Sequence, residues 1–303
     1  MKKTTTGMIV GLALIGSATA ASIEQRDARS IAEQYWKHIF EDRDLKAAAA
    51  LMSDDVRYRD PTAGSIDQTF VDGLVGEDAL AELQRDWDVK GLKFKIDMSF
   101  TSGEHACVAG GVSYRMDGKP GVKDLPFATI LRIKDGAIIE RTDYGDYTKS
   151  FTGPRVSPEP ELETIARNYV HHYLQMKYRE MASLLDEDAV FVDPTAAHVG
   201  QSVPVEGRSN MIDSFQHAIG VLSDIQFDPA RSFFFQNHAV FAGQSHFVIA
   251  GSALGLPQER VAFKDVPLMI VLTIEGGKVV KHYDYTDYEG FQKQFDAIKD
   301  TDD

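Results

Sequence analysis

The chain has 303 residues, 43% of them hydrophobic, and a formal charge of −14. That composition supports two domains with cores of their own and excludes a disordered chain; so negative a surface repels phosphate backbones and anionic lipid, which argues against nucleic acid and membrane surfaces as partners. The single cysteine, Cys107, rules out an intramolecular disulfide.

Residues 1–20 read as a secretory signal peptide. Lys2 and Lys3 give a basic start, Met8 to Ile15 an apolar core too short to span a bilayer, and Ala18-Thr19-Ala20 the small residues of a cleavage site. The mature chain is then expected to begin near Ala21, to be periplasmic or secreted, and to carry −16 once Lys2 and Lys3 are removed from −14.

A first helix follows, in which Ala28, Ile31, Ala32, Tyr35, Trp36, Ile39 and Phe40 recur at three- and four-residue steps on one stripe. A shorter helix spans Leu45 to Met52. Alternation in the next strand puts Val56, Tyr58 and Asp60 on one face, and the strand ends in Asp60-Pro61-Thr62-Ala63. Gly76 leads into a third helix carrying Leu80, Leu83 and Trp87, and four strands are expected over Leu92–Phe100, Ala106–Tyr114, Phe127–Ile133 and Ala137–Tyr147.

The pattern then repeats. Leu162, Ile165, Ala166, Tyr169, Val170, Tyr173 and Leu174 form a second stripe, and a short helix spans Tyr178 to Leu185. Ala189, Phe191 and Asp193 share a strand face before Asp193-Pro194-Thr195-Ala196. Gly207 opens a helix with Met211, Phe215 and Ile219, and strands are expected over Ile225–Phe235, Ala239–Ile249, Leu268–Ile274 and Lys278–Tyr288. The two Asp-Pro-Thr-Ala phrases are 133 residues apart. Lys123-Asp124-Leu125-Pro126 and Asp143-Tyr144-Gly145-Asp146-Tyr147 recur 141 residues later, so the second copy holds about eight extra residues, expected near Ala253 to Gln258. Gly153-Pro154 and Pro158-Glu159-Pro160 form a linker. The organisation is a first domain over 21–152, a linker over 153–160, a second domain over 161–295 and an acidic, solvated tail over 296–303.

Three helices before a curved antiparallel sheet, an Asp-Pro after the first strand, and a closing Asp-Tyr-x-Asp-Tyr strand resemble the NTF2-like superfamily and, within it, the SnoaL-like proteins. The resemblance covers each domain almost end to end. It implies an α+β fold of two tandem cone-shaped domains, each enclosing an apolar cavity, on a scaffold that serves isomerases, cyclases, dehydratases, an epoxide hydrolase and non-catalytic modules. Carried over from ketosteroid isomerase, the general bases fall on Asp60 and Asp193 and the oxyanion-stabilising phenols on Tyr35 and Tyr169. That enzyme's third group, a protonated carboxylic acid, falls on Thr129 and Ile270, which cannot do its work. Its chemistry is a worked example in general treatments of pKa tuning. NTF2-like domains commonly dimerise through their sheets, so the resemblance also implies an internal pseudo-dimer.

Read from the residues alone, a carboxylate beside aromatic groups is poorly solvated and its pKa should rise toward a range useful for moving protons. Asp before Pro is equally a turn opener that holds its own backbone. His38 and His172, three residues after Tyr35 and Tyr169, orient those phenols, act as a second base, or are ordinary helix-edge histidines. Tyr58, Phe191, Trp87, Phe215 and His246 are expected to line the pockets. The strand before the phrase is Arg57-Tyr58-Arg59 in one copy and Val190-Phe191-Val192 in the other, so the outward face of the second is expected to be the more covered. No Gly-rich phosphate loop, nucleophile elbow or metalloprotease motif occurs, and no cofactor or metal is expected; alternation puts Asp284 and Asp287 on opposite faces, against a metal site with His282. Three functions remain open: binding of a small apolar ligand, cofactor-independent proton transfer of the isomerase or lyase kind, and an interaction scaffold.

Overall fold

The computed structural model describes residues 21–65, 68–83, 90–115, 121–149, 161–199, 204–219 and 221–300. The expected signal segment, Trp87 and the linker at 153–160 lie outside them.

The first unit runs α1 (Ala21–Trp36), α2 (Leu45–Ala49), β1 (Met52–Arg59), α3 (Gln68–Asp72), β2 (Leu74–Val75), α4 (Glu77–Leu83), β3 (Lys90–Ser102), β4 (His105–Arg115), β5 (Val122–Lys134) and β6 (Ala137–Gly145). The second runs α5 (Leu162–Leu174), α6 (Tyr178–Leu184), β7 (Leu185–Val192), β8 (Val205–Glu206), α7 (Arg208–Ile219), β9 (Leu222–Phe235), β10 (His238–Ala250), α8 (Gly251–Leu254), β11 (Arg260–Glu275), β12 (Lys278–Thr286) and α9 (Tyr288–Asp300). The sheets have matching orders, β2-β1-β6-β5-β4-β3 and β8-β7-β12-β11-β10-β9. In each, the first long strand runs parallel to the last, β1 beside β6 and β7 beside β12.

Local chemistry accounts for the elements. The stripe Leu162, Ile165, Ala166, Tyr169 and Val170 is buried in α5, and Ala28, Ile31, Ala32 and Tyr35 are buried in α1. After Trp36 the first helix widens into a π turn over Lys37–Asp42 and stops at Arg43, whose φ of 55° is left-handed. The repeated Lys-Asp-x-Pro puts Asp124 and Asp265 at φ 50° and 53°, a conformation Asp tolerates better than most residues. Gly110 and Gly243 sit at matching places, where a Cβ would lie 2.1 Å from the carbonyl oxygens of Lys95 and Asp228. Both accompany register shifts in the ladder, the kind of irregularity that bends a sheet.

Strands β4, β5, β10 and β11 are buried on both faces over part of their length. In β10 and β11, Ala239, Phe241, Ile270 and Leu272 join helical residues in the core of the second unit. Val240, Ala242, Met269 and Val271 face the other way and form a cluster with Met98, Cys107, Ala109 and Ile130 of the first sheet. The two sheets thus bury their outer faces against each other. Ring contacts across this seam come in matched pairs: His105 meets Tyr285 at 6.2 Å and Tyr144 meets His238 at 5.9 Å. Tyr147 packs on Phe235, while the Tyr288 N–H bonds Ser102 Oγ. These exchanges relate equivalent positions of the two copies, as in an isologous interface.

The second unit carries additions. The extra residues form α8, and residues 296–300, expected in a solvated tail, belong instead to α9. Phe295 of that helix is buried in a cluster with Ile249, Leu254, Val261, Phe263 and Val266. Arg57 and Arg59 are exposed, whereas Val190 and Val192 are half-buried.

Candidate functional site

The repeated phrase makes the same local structure twice. Asp60 Oδ1 accepts the Thr62 N–H at 2.9 Å and its hydroxyl at 2.5 Å; Asp193 Oδ1 accepts the Thr195 hydroxyl at 2.6 Å and the Ala196 N–H at 3.0 Å. This is the turn reading. The other oxygen is used differently: Tyr147 donates to Asp60 Oδ2 at 2.5 Å and Tyr288 to Asp193 Oδ2 at 2.6 Å. Burial pushes both carboxyls up to about 7, against these hydrogen bonds, which pull them down. Turn and raised carboxyl therefore coexist in the same side chain.

The phenols beside the two aspartates are the closing tyrosines of the Asp-Tyr-x-Asp-Tyr motif, not Tyr35 and Tyr169. Those two belong to a neighbouring polar string on α1 and α5. In the first unit Arg141 Nη1 donates to the Tyr35 oxygen at 2.6 Å, and its Nε and Nη2 form a fork on Asp143 at 2.9 and 2.6 Å. Thr129 donates to Asp143 Oδ1 at 2.7 Å. Burial opposes the guanidinium charge, but Asp143 beside it holds the group above its ordinary range. Burial also pushes Tyr35 up to about 12.

In the second unit His282 stands where Arg141 stands in the first. It is fully buried. Its Nδ1 lies 3.0 Å from the Tyr169 hydroxyl and its Nε2 lies 2.7 Å from Asp284 Oδ1. Facing a carboxylate, which accepts when ionised, Nε2 is placed as the donor to Asp284, and Nδ1 faces the Tyr169 hydroxyl. Tyr173 donates to Asp284 Oδ2 at 2.7 Å. Phe191 and Phe215 pack on the imidazole, with ring centroids at 5.0 and 5.9 Å. Burial and the Asp284 charge hold both Tyr169 and Tyr173 above their ordinary range.

The other expected residues are dispersed. Tyr58 packs beneath Arg141, 5.5 Å from its ring centre. His38 lies 3.3 Å from Asp42, and His172 packs on His171, its pKa lowered by burial and by that neighbour. Neither makes a hydrogen bond to Tyr35, Tyr169 or the aspartates. His246 does not join the second polar string: it sits between Asp228 and Asp265, whose side chains are largely exposed. Ile270, the counterpart of Thr129, is buried and apolar. Between the units lies a cleft of about 310 Å3. Its lining includes Arg59, Glu104, Arg132, Glu140 and Tyr283, a charged surface unlike the apolar pockets expected.

Tyr147, Tyr288 and Arg141 were missed in the sequence because Asp60, Asp193 and Tyr35 lie 87 to 106 positions away on other elements; His282 was weighed only as a metal ligand. The signal was present in the repeated closing strand, where all four residues stand at fixed offsets from its aspartates.

The family profile described as a SnoaL-like domain matches residues 32–141 and 166–282, together about three quarters of the chain. No curated protein matches the chain. Among solved structures, a protein of Shewanella denitrificans OS-217 assigned as a SnoaL-like polyketide cyclase is 19% identical, with 46% of this chain and 99% of that one covered, at a TM-score of 0.41. An NTF2-like protein of Burkholderia xenovorans LB400 is 13% identical over 45% and 95%, at 0.36. An epoxide hydrolase of M. tuberculosis described as LEH-like is 15% identical over 45% and 89%, at 0.35.

Proposed function

The chain belongs to the SnoaL-like domain family, and from that premise we propose that it is an exported protein whose two units each hold a small, largely apolar molecule. One observation carries this reading. In the second unit a string of hydrogen-bonded polar groups, Tyr169, His282, Asp284 and the half-buried Tyr173, is walled by Phe191 and Phe215. An apolar wall with a few convergent polar groups is the ordinary composition of a small-molecule site. The matched contacts across the seam support reading the chain as an internal pseudo-dimer. Native mass spectrometry of protein recovered from its own compartment tests the proposal: the expected spectrum carries an added small mass that denaturation removes. A clean apo mass, with no uptake of added apolar phenols or ketones, counts against it.

A second reading, proton transfer of the isomerase or lyase kind, is favoured by Asp60 and Asp193, whose carboxyls titrate near 7 because of burial. Under it Asp193→Asn abolishes turnover and leaves ligand affinity within about threefold, since Asn retains the turn acceptor. Affinity and turnover lost together would point to a structural role.

A further inference from the structure

The seam between the units differs at its two ends. At one, Phe235 packs on Tyr147, and Gln236 lays its amide on Gly64, 3.3 Å from where a Cβ of that glycine would stand. The equivalent positions at the other end, 133 residues away in each case, are Ser102, Gly103 and Ala197. Gly103 and Gln236 share a left-handed turn, with φ of 58° and 52°, so one backbone shape carries both and only the side chains differ. With no side chain at 103 to reach across, the cleft of about 310 Å3 stays open beside Ala197. That is the liquid volume of about ten waters and lies at the lower end of small-molecule sites.

Both units line this cleft. Two cross-strand rows of the first sheet, Arg59-Thr142-Ile130 and Glu140-Arg132-His105, meet Pro194, Ala197, Tyr283 and Tyr285 of the second unit there. Arg59 donates to the Thr142 hydroxyl through Nε at 3.2 Å and to Glu140 through Nη2 at 2.9 Å, and Arg132 donates to Glu104 through Nε at 3.2 Å. Among the described residues no protein group takes Nη1 of Arg59, the terminal nitrogens of Arg132, or the hydroxyls of Tyr283 and Tyr285. The lining therefore has donors to spare, while its two guanidiniums and two carboxylates sum to zero. Both ion pairs are partly exposed and hold weakly, so each can turn toward a ligand. A neutral ring of both signs is complementary to a molecule that carries both signs. Unused guanidinium N–H groups suit its carboxylate, and Ile130 with the rings of Tyr283 and Tyr285 suits an apolar body.

We propose that this cleft is a second ligand site, separate from the interiors of the two units, and takes a small zwitterion of the amino-acid kind with an aromatic side chain. The carboxylate lies on Arg59 and Arg132, the ammonium on Glu104 or Glu140, and the ring against Tyr283 and Tyr285. Because both units touch it, the ligand also ties them together across the seam.

The test is calorimetric titration of the full mature chain at pH 7 with L-phenylalanine, and with 3-phenylpropionate and phenethylamine, which keep one charge each. Wild type is expected to bind L-phenylalanine, and each one-charge analogue at least tenfold more weakly. Gly103→Gln, which places at this end the residue that fills the other, is expected to weaken L-phenylalanine at least tenfold without lowering the unfolding temperature. Arg132→Thr, the residue found at the equivalent position 273, is expected to weaken L-phenylalanine and 3-phenylpropionate by at least tenfold and to leave phenethylamine unchanged; it covers the case in which Gly103→Gln does not fold. No binding of L-phenylalanine by wild type, or binding that survives both changes, overturns the inference and leaves the reading of the unit interiors untouched. 3-Phenylpropionate bound as tightly as L-phenylalanine overturns the zwitterion and makes the cleft a plain anion site.

Discussion

The two units share one frame and differ in what it carries. β1 beside β6 and β7 beside β12 have the same order and direction, and both Asp-Pro-Thr-Ala turns direct one carboxylate oxygen to the closing tyrosine. One layer away the resemblance ends: Tyr35 meets a fixed charge on Arg141, and Tyr169 meets the imidazole of His282. The two units keep the placement of the hydrogen bonds and differ in whether a permanently charged group makes them. The frame is therefore a guide to where polar groups converge, and the identity of residue 141 or 282 decides what they can do.

The largest effect expected from this contrast is on stability. Arg141→Leu leaves Asp143 buried beside an apolar group, and breaking a buried pair from one side costs about 3–5 kcal/mol. His282→Leu removes hydrogen bonds from a ring that carries no fixed charge, for a loss of about 1–3 kcal/mol. Urea denaturation of the two variants measures the difference. Equal losses would mean that His282 is also held as a cation and would erase the distinction between the units.

Next in size is an effect common to both. Asp60 and Asp193 rise to about 7 when folded, against about 3.9 for an ordinary Asp in an unfolded chain. Between those values the folded state binds more protons than the unfolded one, so stability falls as pH rises from about 4 to about 7. At about 1.4 kcal/mol per unit, each carboxyl contributes at most about 4 kcal/mol to that fall. Asp60→Asn and Asp193→Asn should each flatten the profile by a similar amount. A profile that responds to only one of them would show that the turns, too, have diverged.

The strands were legible in the sequence because alternating apolar residues announce them, as in Leu92 to Phe100, and because the repeat supplied a second reading of every element; the parallel pairing of β1 with β6 and β7 with β12 was not. The ends were less legible. α9 has apolar residues at Phe291, Phe295 and Ile298, a helical spacing, but the acidic residues around them suggested a solvated tail. The short strands β2 and β8 have two residues each, too few for any period to show. Asp60 and Asp193 were found because turn chemistry is local. The phenols that bond them, Tyr147 and Tyr288, were not singled out, while Tyr35 and Tyr169, expected across a cavity from the carboxylates, face inward from their helices and meet Arg141 and His282. Only the packed sheet shows which polar group is nearer.

The smallest effect separates the turn from the carboxyl it holds. Tyr147→Phe and Tyr288→Phe each delete one donor to a buried carboxylate oxygen and leave the Thr62 or Thr195 contacts that form the turn. A hydrogen bond to a charged group is worth about 1.5–3 kcal/mol, so the loss should lie near the lower figure, since the second oxygen keeps its own donors. Its sign with pH is fixed. The phenol favours the ionised form, so without it the carboxyl titrates still higher, and the cost appears above about pH 7 and shrinks toward pH 4, where the carboxyl is neutral with or without the phenol. Because Tyr147 and Tyr288 also sit on the seam, against Phe235 and Ser102, a loss that persists at pH 4 measures packing between the units and not the phenol–carboxylate bond. The difference between the two pH values therefore isolates what the repeated phrase contributes as a proton site, in each unit separately.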